Sequence, residues 1–397
     1  MPALADLDLP TLDVTDATLT GPRFRERIAE LRDAGWLCRT TLGGVAVLDR
    51  EAGEFFLRSK AMAFPLEPIL QIFGIEEGPL HDEMVHNIIT VEGDEHRRLR
   101  APVNPHFTPR AAEAWRPRIR TLVEELAAPL LARGHGDAVP EFCRPLPARV
   151  VAALLGAPQE DWPRLHRWST LVQRQFDAIA LLQDRAEIEQ AVVELHAYLD
   201  GLLRTARDGL AAALRDDGRL GRVELVNLVL DVLIGGVDTT QAQLAHGLRL
   251  FAEHPEQWAL LGDDPSLVPA AVEEVLRFEP ITPFSARWCR EDVEHRGVTF
   301  PAGTVVLVAA CAANLEGGEA FDITAARDRR LLTFGAGTHY CLGANLARAE
   351  LEEALAHLAP RMGDLRLDGE VLYDTPTGIY QLQALPLRFS PSPPPAA

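Results

Sequence analysis

The stretch Phe334-Gly-Ala-Gly-Thr-His-Tyr-Cys341-Leu-Gly343 runs directly into Ala344-Asn-Leu-Ala-Arg-Ala-Glu-Leu-Glu-Glu-Ala354. The second part consists mostly of strong helix formers. A cysteine therefore stands just before a helix start, in a loop that three glycines allow to turn tightly. Gly335, Gly337 and Gly343 can adopt positive φ and bring the backbone close to a flat partner. The unpaired N–H groups and positive dipole end of the helix favour a thiolate over a thiol. A lone activated thiolate suits two tasks: a nucleophile, or an axial ligand to iron.

A second stretch is as unusual. Residues 223–254 read as one long helix stopped by Pro255, apolar on nearly all sides over Leu225, Leu228, Val229, Leu230, Val232, Leu233 and Ile234. Such a helix runs through a core. Its middle reads Gly235-Gly-Val-Asp238-Thr239-Thr240, and glycines and an acid are costly in a buried helix. The glycines leave room for a small molecule against the backbone. A threonine hydroxyl can take the carbonyl one turn earlier and open the helix ladder.

Together these stretches resemble the cytochrome P-450 family of haem-thiolate monooxygenases. The first fills every specified position of the family's cysteine-ligand loop, F-G-x-G-x-H-x-C-x-G, and the second resembles its oxygen-binding motif, A/G-G-x-D/E-T. The resemblance spans roughly residues 20 to 389. It implies a mainly α fold with minor β, a helical bundle around haem b with a small β-rich side. It makes Cys341 the iron ligand, with Phe334, Gly335, Gly343 and Gly235 against the haem. It gives Thr239 the role of holding dioxygen and Asp238 that of relaying protons to it. A cysteine nucleophile would need an oriented base, and no other motif supplies one.

Other residues take meaning from the same resemblance. Glu274-Val-Leu-Arg277 matches the family's buried E-x-x-R ion pair. Arg327 is the candidate third partner, although its spacing from Phe321 is longer than the family's. His96 and Arg100 share a helix face by the i,i+4 rule; with Arg287 and His339 they are expected to hold the haem propionates. Substrate contacts are expected from residues 61–92 (read as irregular), a 173–184 lid, Leu230, Ile234, Val237, Ile281, Phe284, and Ile379 or Tyr380. Their apolar character suits a hydrophobic small molecule.

Composition bounds the remaining possibilities. With 47% hydrophobic and 24% charged residues the chain is globular, and its 397 residues can enclose a deep cavity. A net charge of -19 argues against nucleic-acid binding. The five cysteines show no zinc or CxxC spacing, which fits a reducing cytoplasm. The N-terminus has no signal-peptide pattern and no apolar run reaches membrane-spanning length, so no membrane association is expected.

Further helices are read at 110–133, 141–156, 159–176 and 185–214. Residues 1–22 read as a lead-in, 23–389 as the catalytic domain and 390–397 as a disordered Pro/Ser tail. No flavin or nicotinamide fingerprint is present, so electrons are expected from a separate ferredoxin and ferredoxin reductase. Arg97, Arg98, Arg110, Arg116, Arg118 and Arg120 form either a solvated face or a docking patch for an acidic ferredoxin. Two competing functions are a peroxygenase or oxidative-coupling member of the family, and a non-catalytic haem-containing ligand binder.

Overall fold

Helices dominate the computed structural model, which describes residues 4–327 and 331–391. The largest apolar cluster lies between them, from Ile75 and Leu80 through Leu233 and Ile234 to Leu355. Helix Ala344–Leu358, which follows the cysteine loop, packs on helices Pro109–Arg133 and Val268–Phe278. Local chemistry sets several helix starts: Asp49, Thr108 and Asp177 each accept a backbone N–H of the following first turn.

The β side is small. Among the described residues one sheet has six strands, in the order Thr11–Leu12, Leu37–Thr40, Val45–Val47, Val305–Ala309, Phe284–Cys289 and Met62–Ala63. The hairpin expected around Gly43-Gly44 is present, with Leu37 opposite Val47. The lead-in is more integrated than a surface segment. Its Thr11–Leu12 strand pairs in parallel with Leu37–Thr40, and Leu12 is buried. A second sheet pairs Met362–Leu367 with Pro386–Pro391 and that strand with His135–Asp137. Residues 390 and 391 belong to it; the rest of the expected tail, 392–397, lies outside the described residues.

The long helix is not continuous. It is two helices, Arg222–Gly236 and Asp238–Glu253, meeting at Val237. The Thr239 hydroxyl donates to the Gly235 carbonyl at 2.6 Å, diverting the acceptor that a regular ladder would give to a backbone N–H. Pro255 does not only stop the helix; at the first position of helix Pro255–Asp263 its missing N–H costs nothing.

Residues 61–92 are also more ordered than their prolines and glycines suggest, forming a short strand and helices Leu66–Phe73 and Pro79–His86. The 173–184 lid is a turn at Arg174–Phe176 and the start of helix Ala178–Thr205, which is non-helical at Asp184. That helix ends at Thr205, and a separate one covers Gly209–Asp217. The other two readings shorten to Pro145–Leu155 and Trp162–Gln173.

Candidate active site

The cysteine loop is held by its own backbone. The Cys341 N–H donates to the Phe334 carbonyl at 2.9 Å, and Gly335 and Gly337 adopt φ of 69° and 73°. A side chain at Gly337 would strike the Leu57 carbonyl, so that glycine also lets the loop lie on helix Arg50–Arg58. Burial pushes the Cys341 thiol up. The N–H groups of Gly343 and Ala344, together with Arg100 and Arg348, pull the other way. The sulfur thus sits among donors suited to a thiolate. The Arg348 guanidinium lies 4.6 Å from the centre of the Phe334 ring.

Behind the loop, Glu274 and Arg277 form a buried two-pronged pair with both contacts at 2.7 Å. Arg277 also donates to the carbonyls of Gly318 and Ala320 at 2.8 Å, and Glu274 accepts the Asp322 N–H at 2.9 Å. Arg327 reaches Glu274 at 3.2 Å, so the longer spacing still brings it to the pair. Asn314 extends the network: it accepts the Leu332 N–H and donates to Thr333, whose hydroxyl donates to the Leu276 carbonyl. These contacts anchor the start of the cysteine loop to helix Val268–Phe278.

The expected cationic set also converges. His96 is buried, and its ring centre is 4.4 Å from that of His339. Burial, aided by His339 and Arg100, lowers His96 to about 4. Arg100 donates to the carbonyls of Tyr340 and Thr338 at 2.5 and 3.3 Å. Arg287 donates to the Ala286 carbonyl, and burial depresses its pKa. The sequence reading missed Glu92, which lies 3.0 Å from His339 and whose charge acts on Arg287. Only its place three residues before Glu95, at a helix start, marked it.

On the broken helix, Gly235 and Thr239 are accessible on one face, and a Cβ built on Gly235 meets nothing within 4 Å. Asp238 points elsewhere. It is fully buried and accepts from Ser169, from Thr170 at 2.7 Å and from Gln381 at 3.5 Å. Burial raises its pKa, opposed by those donors and by the charge of His166. Ser169, Thr170 and Gln381 carried no motif in the sequence.

Leu230, Ile234 and Val237 are fully buried in the helical core, because the open face carries Gly235 and Thr239 instead. The Tyr380 hydroxyl accepts the Gly21 N–H, and its ring packs on Phe24, Tyr373 and His246. Phe284 packs edge-on against Phe24 in the same cluster. Ile281 is buried and Ile379 half-buried.

A family model, Cytochrome P450, matches residues 265–360, which hold the Glu274–Arg277 pair and the cysteine loop. The chain is 37% identical to a luteothin monooxygenase from Streptomyces thioluteus, over 96% of both chains. It belongs to the cytochrome P450 family. The mycinamicin IV hydroxylase/epoxidase of Micromonospora griseorubida is 37% identical over 74% of this chain and 76% of its own. The crystal structure of CalO2 superposes with a TM-score of 0.89 at 31% identity, covering 96% of this chain and all of that one.

The protein is thus a haem-iron P450 monooxygenase. Its residues fit the haem. A Cβ on Gly235 or Gly343 would enter open space, and His96, Arg100, Arg287 and His339 gather several donors around a single acid, Glu92. Donors of that kind, two of them arginines, suit a ligand carrying carboxylates. No described helix is long and apolar enough to cross a membrane.

Proposed function

We propose that this P450 binds haem b through Cys341, receives electrons from a ferredoxin and its reductase, and oxidises a hydrophobic small molecule of secondary metabolism. The observation that carries the reading is the Cys341 sulfur, set among two backbone N–H groups and two arginines on a glycine loop. Haem, when bound, supplies the iron at which dioxygen is activated. Cys341 is its thiolate ligand. His96, Arg100, Arg287 and His339 hold its carboxylates by charge and hydrogen bonds.

Thr239 holds a hydroxyl proton at Oγ1, directed at the Gly235 carbonyl and beside the open face. Asp238 is the neighbouring proton reservoir, because burial keeps it protonated above the usual carboxylate range. The substrate class rests on relatives named for acting on luteothin and mycinamicin IV.

The electron-donor surface is smaller than the arginine count indicates. Arg97 and Arg98 pair with Asp94, Glu95 and Glu224, while Arg116 and Arg120 pair with Glu113, Glu352 and Glu353. Exposed Arg110 and Arg118 remain as the candidate ferredoxin contacts.

The reduced protein under carbon monoxide tests the ligand. The red-shifted haem-thiolate band is expected in the wild type and lost in Cys341→His; its survival in the variant would overturn the assignment. Turnover supported by NADPH, ferredoxin and reductase but not by hydrogen peroxide alone is the expected pattern. Equal rates would favour the peroxygenase reading.

A further inference from the structure

Asp238 is the terminus of a line of side chains that reaches toward the surface. Its Oδ1 accepts from the Gln381 amide at 3.5 Å. The Oε1 of Gln381 accepts from the Gln241 amide at 3.0 Å, and Oε1 of Gln241 lies 2.8 Å from Nε2 of His166. His166 is half-buried on helix Trp162–Gln173. The directions are determined by chemistry. Gln241 uses its amide N–H toward Gln381, so its oxygen faces His166, and His166 must carry hydrogen on Nε2. Every donor in the line therefore points toward Asp238.

Two carboxamides in series are poor proton conductors, since neither releases a proton near neutral pH. They do transmit polarity. A positive charge on His166 draws the Gln241 oxygen, strengthens the Gln241 N–H as a donor, and so on to the Gln381 N–H at Asp238. The side chains facing Asp238 are Ser169, Thr170 and His166 from helix Trp162–Gln173, Gln241 on its own helix, and Gln381. Of these, only His166 can carry a charge.

We infer that His166 is a positioning residue for the oxygenase reaction: through Gln241 and Gln381 its charge sets whether Asp238 stands as a carboxyl or a carboxylate. The inference rests on the proton-reservoir role of Asp238 proposed above. A charge on His166 stabilises the Asp238 carboxylate through the line. When His166 is neutral, Asp238 stays protonated. Ser169 and Thr170 then hold the acid in place without supplying charge.

The experiment reads Asp238 itself. In the holoprotein, the infrared carbonyl stretch of the protonated Asp238 carboxyl, assigned by its loss in Asp238→Asn, is followed against pH. His166→Gln keeps an N–H donor and removes the charge; Gln381→Leu breaks the line while leaving His166. Both are expected to keep the band at pH values where the wild type has lost it, with the carbon monoxide spectrum and substrate-induced spin shift unchanged. His166→Gln is also expected to alter the pH profile of peroxide release per NADPH.

A band that titrates identically in wild type and both variants would overturn the inference. So would a shift in Gln381→Leu without one in His166→Gln, since His166 would then not be the source. The infrared titration stands whether or not the enzyme turns over with ferredoxin, so failure here and failure of the proposed function are separable.

Discussion

The hydroxyl of Thr239 does two things with one atom. Its bond to the Gly235 carbonyl loosens the helix where the ligand face opens, and it leaves an oxygen at that face. Thr239→Ala removes both the diverted bond and the hydroxyl. It is expected to bind substrate with an unchanged spin shift but to release severalfold more hydrogen peroxide per NADPH; unchanged coupling would deny Thr239 its proton role. Gly235 is the complementary case. It has open space at its missing Cβ, so Gly235→Val is expected to fold and to block ligand approach, read as a lost spin-state response.

At the scale of elements, two contacts between distant segments are open to measurement. The Glu274–Arg277 pair ties helix Val268–Phe278 to the 314–322 loop. Glu274→Ala leaves a buried guanidinium without its carboxylate, which costs about 3–5 kcal/mol. The expected outcome is low haem incorporation and a lower unfolding midpoint in denaturant.

The second contact joins helix Pro79–His86 to helix Arg222–Gly236. Asn87 donates to Glu83 at 2.8 Å, and Asp231 accepts the Ile88 N–H at 2.9 Å. Burial raises Glu83 to about 7 from 4.5 and raises Asp231 in the same direction, each opposed by Asn87. The folded protein thus keeps a Glu83 proton that the unfolded chain has released. The stability linked to this group is intact below about pH 4.5 and is lost as pH rises toward 7. Glu83→Gln is expected to match the wild type at pH 5 and to be more stable at pH 8, by up to about 3 kcal/mol. Thermal melts at the two pH values check it, and a variant less stable at pH 8 would contradict the burial argument.

For the whole molecule, a net charge of -19 repels an acidic partner at long range, so docking must rely on a local cationic area. Of the six arginines of the expected patch, four are already matched by neighbouring acids, which leaves Arg110 and Arg118. The pair Arg110→Glu and Arg118→Glu is expected to slow ferredoxin-dependent reduction about tenfold at low salt and much less at high salt. Dithionite reduction should be unaffected. A rate independent of both charge and salt would mean that the partner docks elsewhere.

The chain order alone carried the Cys341 loop, the Gly235–Thr239 segment and the Glu274–Arg277 spacing, because each acts through neighbours within a turn or two of backbone. Glycine φ, helix ends and i,i+3 pairs are local physics. That sufficed for the fold class and the reaction class, and it carries the proposal of Cys341 as the iron ligand. Only the tertiary structure decided which acid faces His339, that Asp238 looks toward Ser169 and Gln381 rather than toward the open face, and that Tyr380 serves Gly21. It also decided that Gly235 and Thr239, rather than Leu230 and Ile234, lie on the accessible side. An all-round apolar helix has no periodicity to reveal its facing, and side chains far apart in sequence meet only through packing that no local pattern records.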